Sequence, residues 1–379
     1  MKKVIKNIDY PLLIVSAILF AIGLIMVFSS SNVIAYMAQA ASPYNYFLKQ
    51  AGFLVIGLAL GIFIICRTTK FYGIASWFLL LLIGASLVLL LAIGQAKNQA
   101  VSWFDLGPIN FQPSEFIKIV YIVWAASFYE LNKKGLDSYS KVLFPVFVGL
   151  GIAFLIMLQP DLGTAIIFIT IVGMIFLAVP TPKVLKGKII FAAVGLLMVL
   201  AIFLLASGKS VIQKRQLERF DFKRPCDKLL TTGNQVCNGY IAINNGGLTG
   251  LGLGNSTQKY LYLPEPYTDF IFAVIVEELG AIVGIAILLM YMFVLYRILA
   301  IGRKAPTLRD GLMCYGIAVY IFMHIAVNLL GLFGLMPMTG VPLPFMSYGG
   351  SYTVCLMVSL VIVERVAVET KLSRKKKNS

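Results

Sequence analysis

Ten blocks of apolar residues, each near 20 residues long, constrain this chain more than any other feature of its sequence. A helix of about 20 apolar residues crosses about 30 Å of hydrocarbon. Lipid offers no hydrogen-bond partner to an open backbone, so such blocks fold as helices. The blocks run over 10–31, 50–66, 71–94, 113–130, 142–158, 163–180, 189–206, 268–299, 311–334 and 352–369. Composition agrees: 59% of the 379 residues are hydrophobic and 13% charged, against roughly 45–50% and 25% in soluble domains. The expected fold is all-α, a polytopic membrane protein of about ten transmembrane helices, read as one integral-membrane domain over 1–379. Lys2, Lys3 and Lys6 precede the first block and Ala38-Gln39-Ala40 follows it, as in a secretory signal. The apolar stretch outruns the roughly 7–15 residues of a signal core, so it is read as an uncleaved span.

Basic residues near the block ends set the expected orientation. One set of short loops carries Arg67 and Lys70, then Lys133, Lys134 and Lys141, then Lys183, Lys186 and Lys188, then Arg303, Lys304 and Arg309. Arg374, Lys375, Lys376 and Lys377 of the tail fall on the same side, whereas the opposite short loops hold only Lys49 and Lys97. Both termini are therefore expected in the cytoplasm, with 370–379 a basic cytoplasmic tail and 207–267 a large extracellular loop. The net charge of +16 is largely this asymmetry, with the tail suited to anionic lipid headgroups. Nucleic acid is not an expected partner, because the charges form no recognition module. A second basic group lies in the long loop: Lys209, Lys214, Arg215, Arg219, Lys223, Arg224, Lys228 and Lys259. It suits a phosphate-bearing ligand at the outer leaflet, or is a solvated basic loop.

Cys66, Cys314 and Cys355 lie in or beside spans and read as fillers. Cys226 and Cys237 share the outer loop, where an oxidising compartment permits a disulfide. Closing that loop would contribute roughly 3 kcal/mol on the chain-entropy account.

Polar residues collect on the expected outer face. Ionisable groups at a span cost about 2.5–3.5 kcal/mol each on insertion scales, so they persist when paired or when they face a wet cavity. Glu115 and Lys118 are three apart on one helix and can meet. Asp161 opens the sixth span, where a helix N-terminus favours an anion. The three read as an ion network that aligns helices. Asp269 follows a Pro-rich turn at the start of span eight; an apolar rim of Phe270, Ile271 and Phe272 would raise its pKa, which suits a general base. An acidic residue matched to the helix dipole reads the same way. His324, the only histidine, lies inside span nine with no charged neighbour in sequence and reads as a packed helix residue. The glycine run 246–254 lacks the strand context and the Lys-Ser/Thr of a nucleotide loop. It is read as backbone able to approach a ligand closely. No metal-ligand cluster is visible in the spacing of His, Cys and carboxylates.

Taken together, several strings resemble the SEDS family of peptidoglycan polymerases (FtsW, RodA, SpoVE). They are 111–118 (FQPSEFIK), 159–165 (QPDLGTA), 252–259 (GLGNSTQK), 262–272 (YLPEPYTDFIF), 277–280 (EELG) and 340–350 (GVPLPFMSYGG). The resemblance covers essentially the whole chain in order, and is greater to the cell-division branch of Gram-positive bacteria than to the elongation branch. It implies a glycosyltransferase that polymerises lipid II at the outer leaflet during septal cell-wall synthesis, in a multi-pass protein of the bacterial cell membrane at the division septum. It places the general base on Asp269 and support on Glu115, Lys118 and Asp161. Contacts to substrate or pyrophosphate fall to Trp103, Arg215, Arg219, Gln258, Lys259, Thr268 and Ser347. A divalent cation, Mg or Mn, is a possible helper that the sequence neither shows nor excludes. The implied partners are a class B penicillin-binding protein (a transpeptidase), other division proteins, lipid II and membrane lipid. The chain departs from the family pattern at Tyr267, where His is usual, at Ser102, where Arg is common, and at Gln216, which has Arg215 and Arg219 on either side. The alternatives are an elongation-type polymerase, a lipid II flippase, and a non-catalytic scaffold for a transpeptidase. A transporter places its sites near the bilayer midplane; here the polar residues gather at one face, which favours an enzyme.

Overall fold

The computed structural model describes residues 2–37, 42–93, 95–97, 100–105, 110–206, 225–228, 233–260 and 262–378. Ten long helices occupy the ten apolar blocks. They are α1 (Tyr10–Met37), α2 (Asn45–Ile65), α3 (Thr69–Ile93), α4 (Pro113–Leu131), α5 (Tyr139–Leu158), α6 (Leu162–Ala178), α7 (Lys183–Ala206), α9 (Ile271–Arg303), α10 (Leu308–Leu332) and α11 (Gly350–Asn378). By length and composition alone, seven of them are long and apolar enough to cross a membrane. Of the remaining three, α6 is apolar but has 17 residues, and α4 carries Glu115, Lys118 and Glu130 in its 19.

Three features depart from the expectation. The tail does not trail free, because α11 runs on to Asn378. The long loop is itself partly helical, with a 3-10 turn at Pro225–Lys228 and an α-helix, α8 (Asn234–Gly246). A small antiparallel sheet, β1 (Gln95–Lys97), β2 (Ala100–Asp105) and β3 (Asn110–Phe111), stands between α3 and α4.

The most enclosed helices are α4, α10 and α11, and they form the centre. The outward faces of α2 and α3 remain apolar, with Leu58, Phe63, Ile74 and Leu81 exposed, as lipid contact requires. Small residues let helices approach: a Cβ on Gly57 would meet Met357 Sδ at 2.5 Å and one on Gly61 would meet Val361 Cγ2 at 3.0 Å. This spacing of small residues four apart is a common membrane-helix contact.

The bundle has a loop-rich end and a charge-knotted end. At the latter, Arg297 Nε donates to Asp9 Oδ1 at 3.2 Å and the Asp9 N–H donates to Glu364 Oε2 at 2.8 Å. Arg309 Nη2 donates to Thr69 Oγ1 at 2.7 Å, and Thr69 donates to Glu369 Oε2 at 2.8 Å. These bonds join α1, α3, α9, α10 and α11. The loop-rich end gathers the polar strings.

Helix α9 is broken near its start. Gly280 has φ +86 and ψ 164, a conformation that a side chain would strain. The glycine-rich loop after α8 docks into the gap. Leu251 N and Gly252 N donate to the carbonyls of Glu277 and Glu278, both at 2.9 Å, while Ala281 N and Ile282 N donate to Gly247 O and Leu248 O at 3.0 and 3.3 Å. Every backbone group in that exchange would otherwise be unpaired inside the protein. A Cβ on Gly250 would lie 2.3 Å from Glu278 O. At Gly250 the glycine run thus approaches the protein's own helix, a close contact that the sequence reading assigns to a ligand, whereas Gly247 and Gly254 face open space.

Candidate functional site

Asp269 lies in the turn before α9, whose first residue is Ile271. It is therefore outside the helix, and the reading of it as an acidic residue in the first helical turn is corrected. The turn is held from several sides. Asn328 Nδ2 of α10 donates to Asp269 O at 3.1 Å and to Val341 O at 2.9 Å. Ser347 Oγ donates to Thr268 O at 2.5 Å and accepts from Leu343 N at 2.8 Å. Tyr348 N donates to Tyr267 O at 2.9 Å, and Thr268 Oγ1 donates to Glu265 O at 3.2 Å. Gln50 Nε2 of α2 reaches Ser347 O at 3.4 Å and Thr353 Oγ1 at 3.0 Å.

The carboxyl of Asp269 is left out of this net. Among the described residues it has no hydrogen-bond partner and no paired cation. It is half-buried, and the nearby Gly340 has φ +68 and lacks a side chain: a Cβ there would stand 3.8 Å from Asp269 Oδ2. Burial among protein atoms, and secondly the charge of Glu265, raise its pKa from 3.8 to about 7. Desolvation penalises the anion, and a like charge adds to the penalty. Poised near neutrality with part of its surface open, the carboxyl can take a proton from a group brought against it.

Tyr267 of the same turn packs with Tyr46 and Tyr348, with ring centroids 4.4 Å (Tyr46–Tyr267), 5.0 Å (Tyr46–Tyr348) and 5.9 Å (Tyr267–Tyr348) apart. Tyr267 Oη donates to Tyr46 Oη at 3.1 Å. Burial raises the Tyr267 hydroxyl well above its ordinary value and the Tyr348 hydroxyl to about 12, so both remain protonated at neutral pH.

Glu115 and Lys118 form a buried pair, Nζ to Oε1 at 2.7 Å. The third partner is His324 of α10, whose Nε2 lies 3.0 Å from Lys118 Nζ. An ammonium donates, so Nε2 is the acceptor, and Nδ1 is left to carry the hydrogen towards Pro342 O at 3.4 Å. His324 is packed, as expected, with Tyr352 stacked at 4.5 Å and Tyr320 edge-on at 4.8 Å; but it has a charged neighbour across helices, which sequence distance concealed. Asp161 stands beside this pair rather than in it. It caps α6 by accepting from Thr164 N at 3.1 Å and takes Gln112 Nε2 at 3.4 Å.

Lys259 is also turned inward. Its Nζ donates to Gly254 O at 2.7 Å and Glu278 Oε1 at 3.0 Å, with Ser29 Oγ at 3.4 Å. Lys118 and Lys259 are 0% and 1% exposed, so neither ammonium is free to meet a phosphate from solvent. Gln258 is buried, its N–H directed at Glu277 Oε2 at 3.4 Å. Trp103 is half-buried in β2, opposite Gln95 of β1. Cys226 and Cys237 are joined by a disulfide that pins the 3-10 turn to α8. Arg215 and Arg219 lie outside the described residues.

The residues that sequence reading missed are Gln50, Asn328, Tyr46 and Ser29. Gln50, Asn328 and Ser29 are polar groups inside apolar blocks, a signal that was present in the sequence; Tyr46 lies just before the second block and carried no such signal.

These features define a polytopic membrane protein with one titratable carboxyl left open in a firmly held turn at the loop-rich end. The chain belongs to the FtsW/RodA/SpoVE family, described as cell cycle proteins, with the match spanning residues 10–372. It is 36% identical over 384 residues to a Bacillus subtilis (strain 168) protein named "Probable peptidoglycan glycosyltransferase FtsW", covering 100% of this chain and 94% of that one. Stage V sporulation protein E of the same organism is 33% identical over 369 residues, 95% of this chain and 96% of its own length. The crystal structure of the rod shape determining protein RodA of Thermus thermophilus is 25% identical, with a TM-score of 0.66 over 95% of this chain and 96% of that one.

Proposed function

We propose that this chain is a peptidoglycan glycosyltransferase that polymerises lipid II into glycan strands, with Asp269 as general base. The relatives' names support the activity, and the site's chemistry supports the residue. In the reaction, the 4-hydroxyl of an acceptor GlcNAc attacks the anomeric carbon of a lipid-linked MurNAc. The new C–O bond forms as the bond to undecaprenyl pyrophosphate breaks, with inversion, and the hydroxyl proton passes to the Asp269 carboxylate. The observation that carries this reading is the unpaired, half-open carboxyl at about 7, held in a turn whose backbone is bonded to α10 and to the 341–348 segment.

The leaving pyrophosphate needs positive charge. With Lys118 and Lys259 sealed in ion pairs, we assign that role to Arg215 and Arg219 and give the two lysines the work of holding helices. Among the described residues there is no group of three or more His, Cys, Asp or Glu that could hold a metal; a Mg or Mn ion would be held chiefly by the substrate's own pyrophosphate, for which one or two carboxylates suffice. Thr268 and Ser347 shape the turn, and Trp103 presents an aromatic face at the same end. The charge asymmetry of the loops supports an outer-leaflet site with both termini inside. We place the protein at the division septum with a class B penicillin-binding protein as partner, a reading that the family's description as cell cycle proteins and the FtsW names of its relatives support.

The test is lipid II polymerisation by purified protein, with and without its cognate transpeptidase, comparing wild type with Asp269→Asn at equal folded amounts. Wild type is expected to make glycan chains, and the variant to lose about a hundredfold or more of that activity. Equal polymerisation by both would remove Asp269 from the mechanism. Movement of lipid II across vesicles without glycan formation would replace the polymerase by a flippase.

A further inference from the structure

The break in α9 isolates a short helical piece, 271–279, between the Asp269 turn and Gly280. At ~1.5 Å per residue it is about 13 Å long. One end carries the candidate base. The other end carries Glu277 and Glu278, two buried carboxylates that the proposed chemistry does not use.

Their partners differ. Glu278 is a three-way tie, taking Ser29 Oγ of α1 at 2.8 and 2.6 Å, Lys259 Nζ at 3.0 Å and Ser256 N at 3.4 Å. Glu277 is 0% exposed and has no cation beside it among the described residues. All its donors come from the last turn of α8 and the loop that follows it. They are Thr257 Oγ1 at 2.9 Å, Thr257 N at 3.2 Å, Gln258 N and Asn245 Nδ2 at 3.4 Å, and Ser256 Oγ. A carboxylate buried without a counter-charge is costly, and several donors aimed at it are what holds it there. Combined with the backbone exchange across Gly280, this sews the 245–258 loop to the far end of the piece that begins at the base.

We propose that Glu277 is a positioning residue for Asp269: by binding the 245–258 loop it fixes piece 271–279, and with it the placement of the Asp269 carboxyl. This rests on the polymerase reading given above. Misplacing a catalytic group by about 1 Å can cost about a hundredfold in rate. The loop therefore belongs to the catalytic apparatus although it touches no reacting atom.

The experiment compares wild type with Glu277→Ala and the milder Glu277→Gln, which keeps one acceptor oxygen. Asn245→Ala and Thr257→Val each remove a single donor and serve where Glu277→Ala fails to fold. Glu364→Gln, at the charge-knotted end, is the control for general destabilisation. Three quantities are read: turnover per folded molecule, the midpoint of the acid limb of the pH–rate curve, and backbone hydrogen exchange. The one charged group acting on Asp269 among the described residues is Glu265 of the same turn, and the amide of Asn328 is bonded to the Asp269 backbone carbonyl; neither is altered by these variants. We expect kcat to fall about tenfold in Glu277→Ala and less in Glu277→Gln, with KM for lipid II little changed. The midpoint should move to lower pH as the carboxyl becomes better solvated. Exchange should quicken at Leu251, Gly252, Ala281 and Ile282, and also at Ala273, Val274 and Tyr348 near the base. Loss of folded protein alone, as in the control, leaves the midpoint where it was.

Faster exchange confined to the loop and the break, with midpoint and turnover unchanged, would overturn the proposal and leave Glu277 a local tie. Unchanged exchange throughout would overturn it as well. Should wild type make no glycan, the polymerase reading fails by itself. Exchange at Ala273, Val274 and Tyr348 then still decides whether Glu277 fixes the Asp269 turn.

Discussion

Glu115 and Asp269 are both acidic residues at the loop-rich end, and their surroundings share little. Glu115 is sealed between helices, its charge met by Lys118 at 2.7 Å, with His324 against the same ammonium at 3.0 Å. Asp269 has its backbone held on two sides, but its carboxyl has no partner among the described residues and part of its surface is open. A carboxylate with a buried cation and two helices around it is committed to structure. One whose anion is disfavoured and unpaired retains free energy that a substrate proton can release. The contrast separates a charge satisfied inside the bundle from one left open, and the proposed chemistry uses the open one.

The comparison can be broken most sharply at Lys118. Lys118→Met leaves Glu115 buried without its cation, which costs about 3–5 kcal/mol when a buried pair is broken from one side. Denaturation of the detergent-solubilised protein should show that loss, and Lys118→Met with Glu115→Gln together should recover most of it. An unchanged transition in the single variant would mean that water reaches Glu115.

The opposite sign is expected at Asp269. Its folded-state pKa, about 7, lies above its ordinary 3.8, so the fold binds the proton more tightly than the unfolded chain does. Stability from this group is then fully present below pH 4 and is lost as pH rises through 7. Asp269→Asn removes that loss and should stabilise the protein by about 1–2 kcal/mol at pH 8, allowing for the carboxyl's open surface. Melting at pH 5 and pH 8 checks it; a variant less stable at pH 8 would show that the anion is held by a partner. The smallest effect concerns Glu265, the second cause of the raised value. Glu265→Gln should move the acid limb of the polymerisation rate down by a few tenths of a pH unit, leaving the rate at pH 8 unchanged. A rise of the midpoint would remove Glu265 from the account.

Much of this molecule was legible in the chain. The ten helices follow from block length and apolarity, since hydrocarbon leaves the backbone no other pairing. Glu115 with Lys118 follows from a three-residue helical spacing. Cys226 and Cys237 could be singled out because they alone share a loop, although only three dimensions bring their Cα atoms to 5.0 Å. Asp269 could be named from a Pro-rich turn against an apolar rim, but its poise could not, because that depends on what the 340–347 segment, Asn328 and Glu265 bring around it.

Other features were decided only by the tertiary structure. His324 and Lys118 are 206 residues apart, and no local period links them. Lys259 reads as a loop cation until the fold turns it onto Glu278. Gly280 reads as an ordinary glycine in an apolar run, and becomes a helix break because the 247–252 segment supplies the hydrogen bonds that the helix gives up. Membrane helices are apolar on the lipid side as well as the core side, so hydropathy states how many helices there are and not which faces meet. Which polar groups are paired, and which one is left open, is settled by contacts between distant segments. That information lies in the packing of the whole bundle and not in any one stretch of residues.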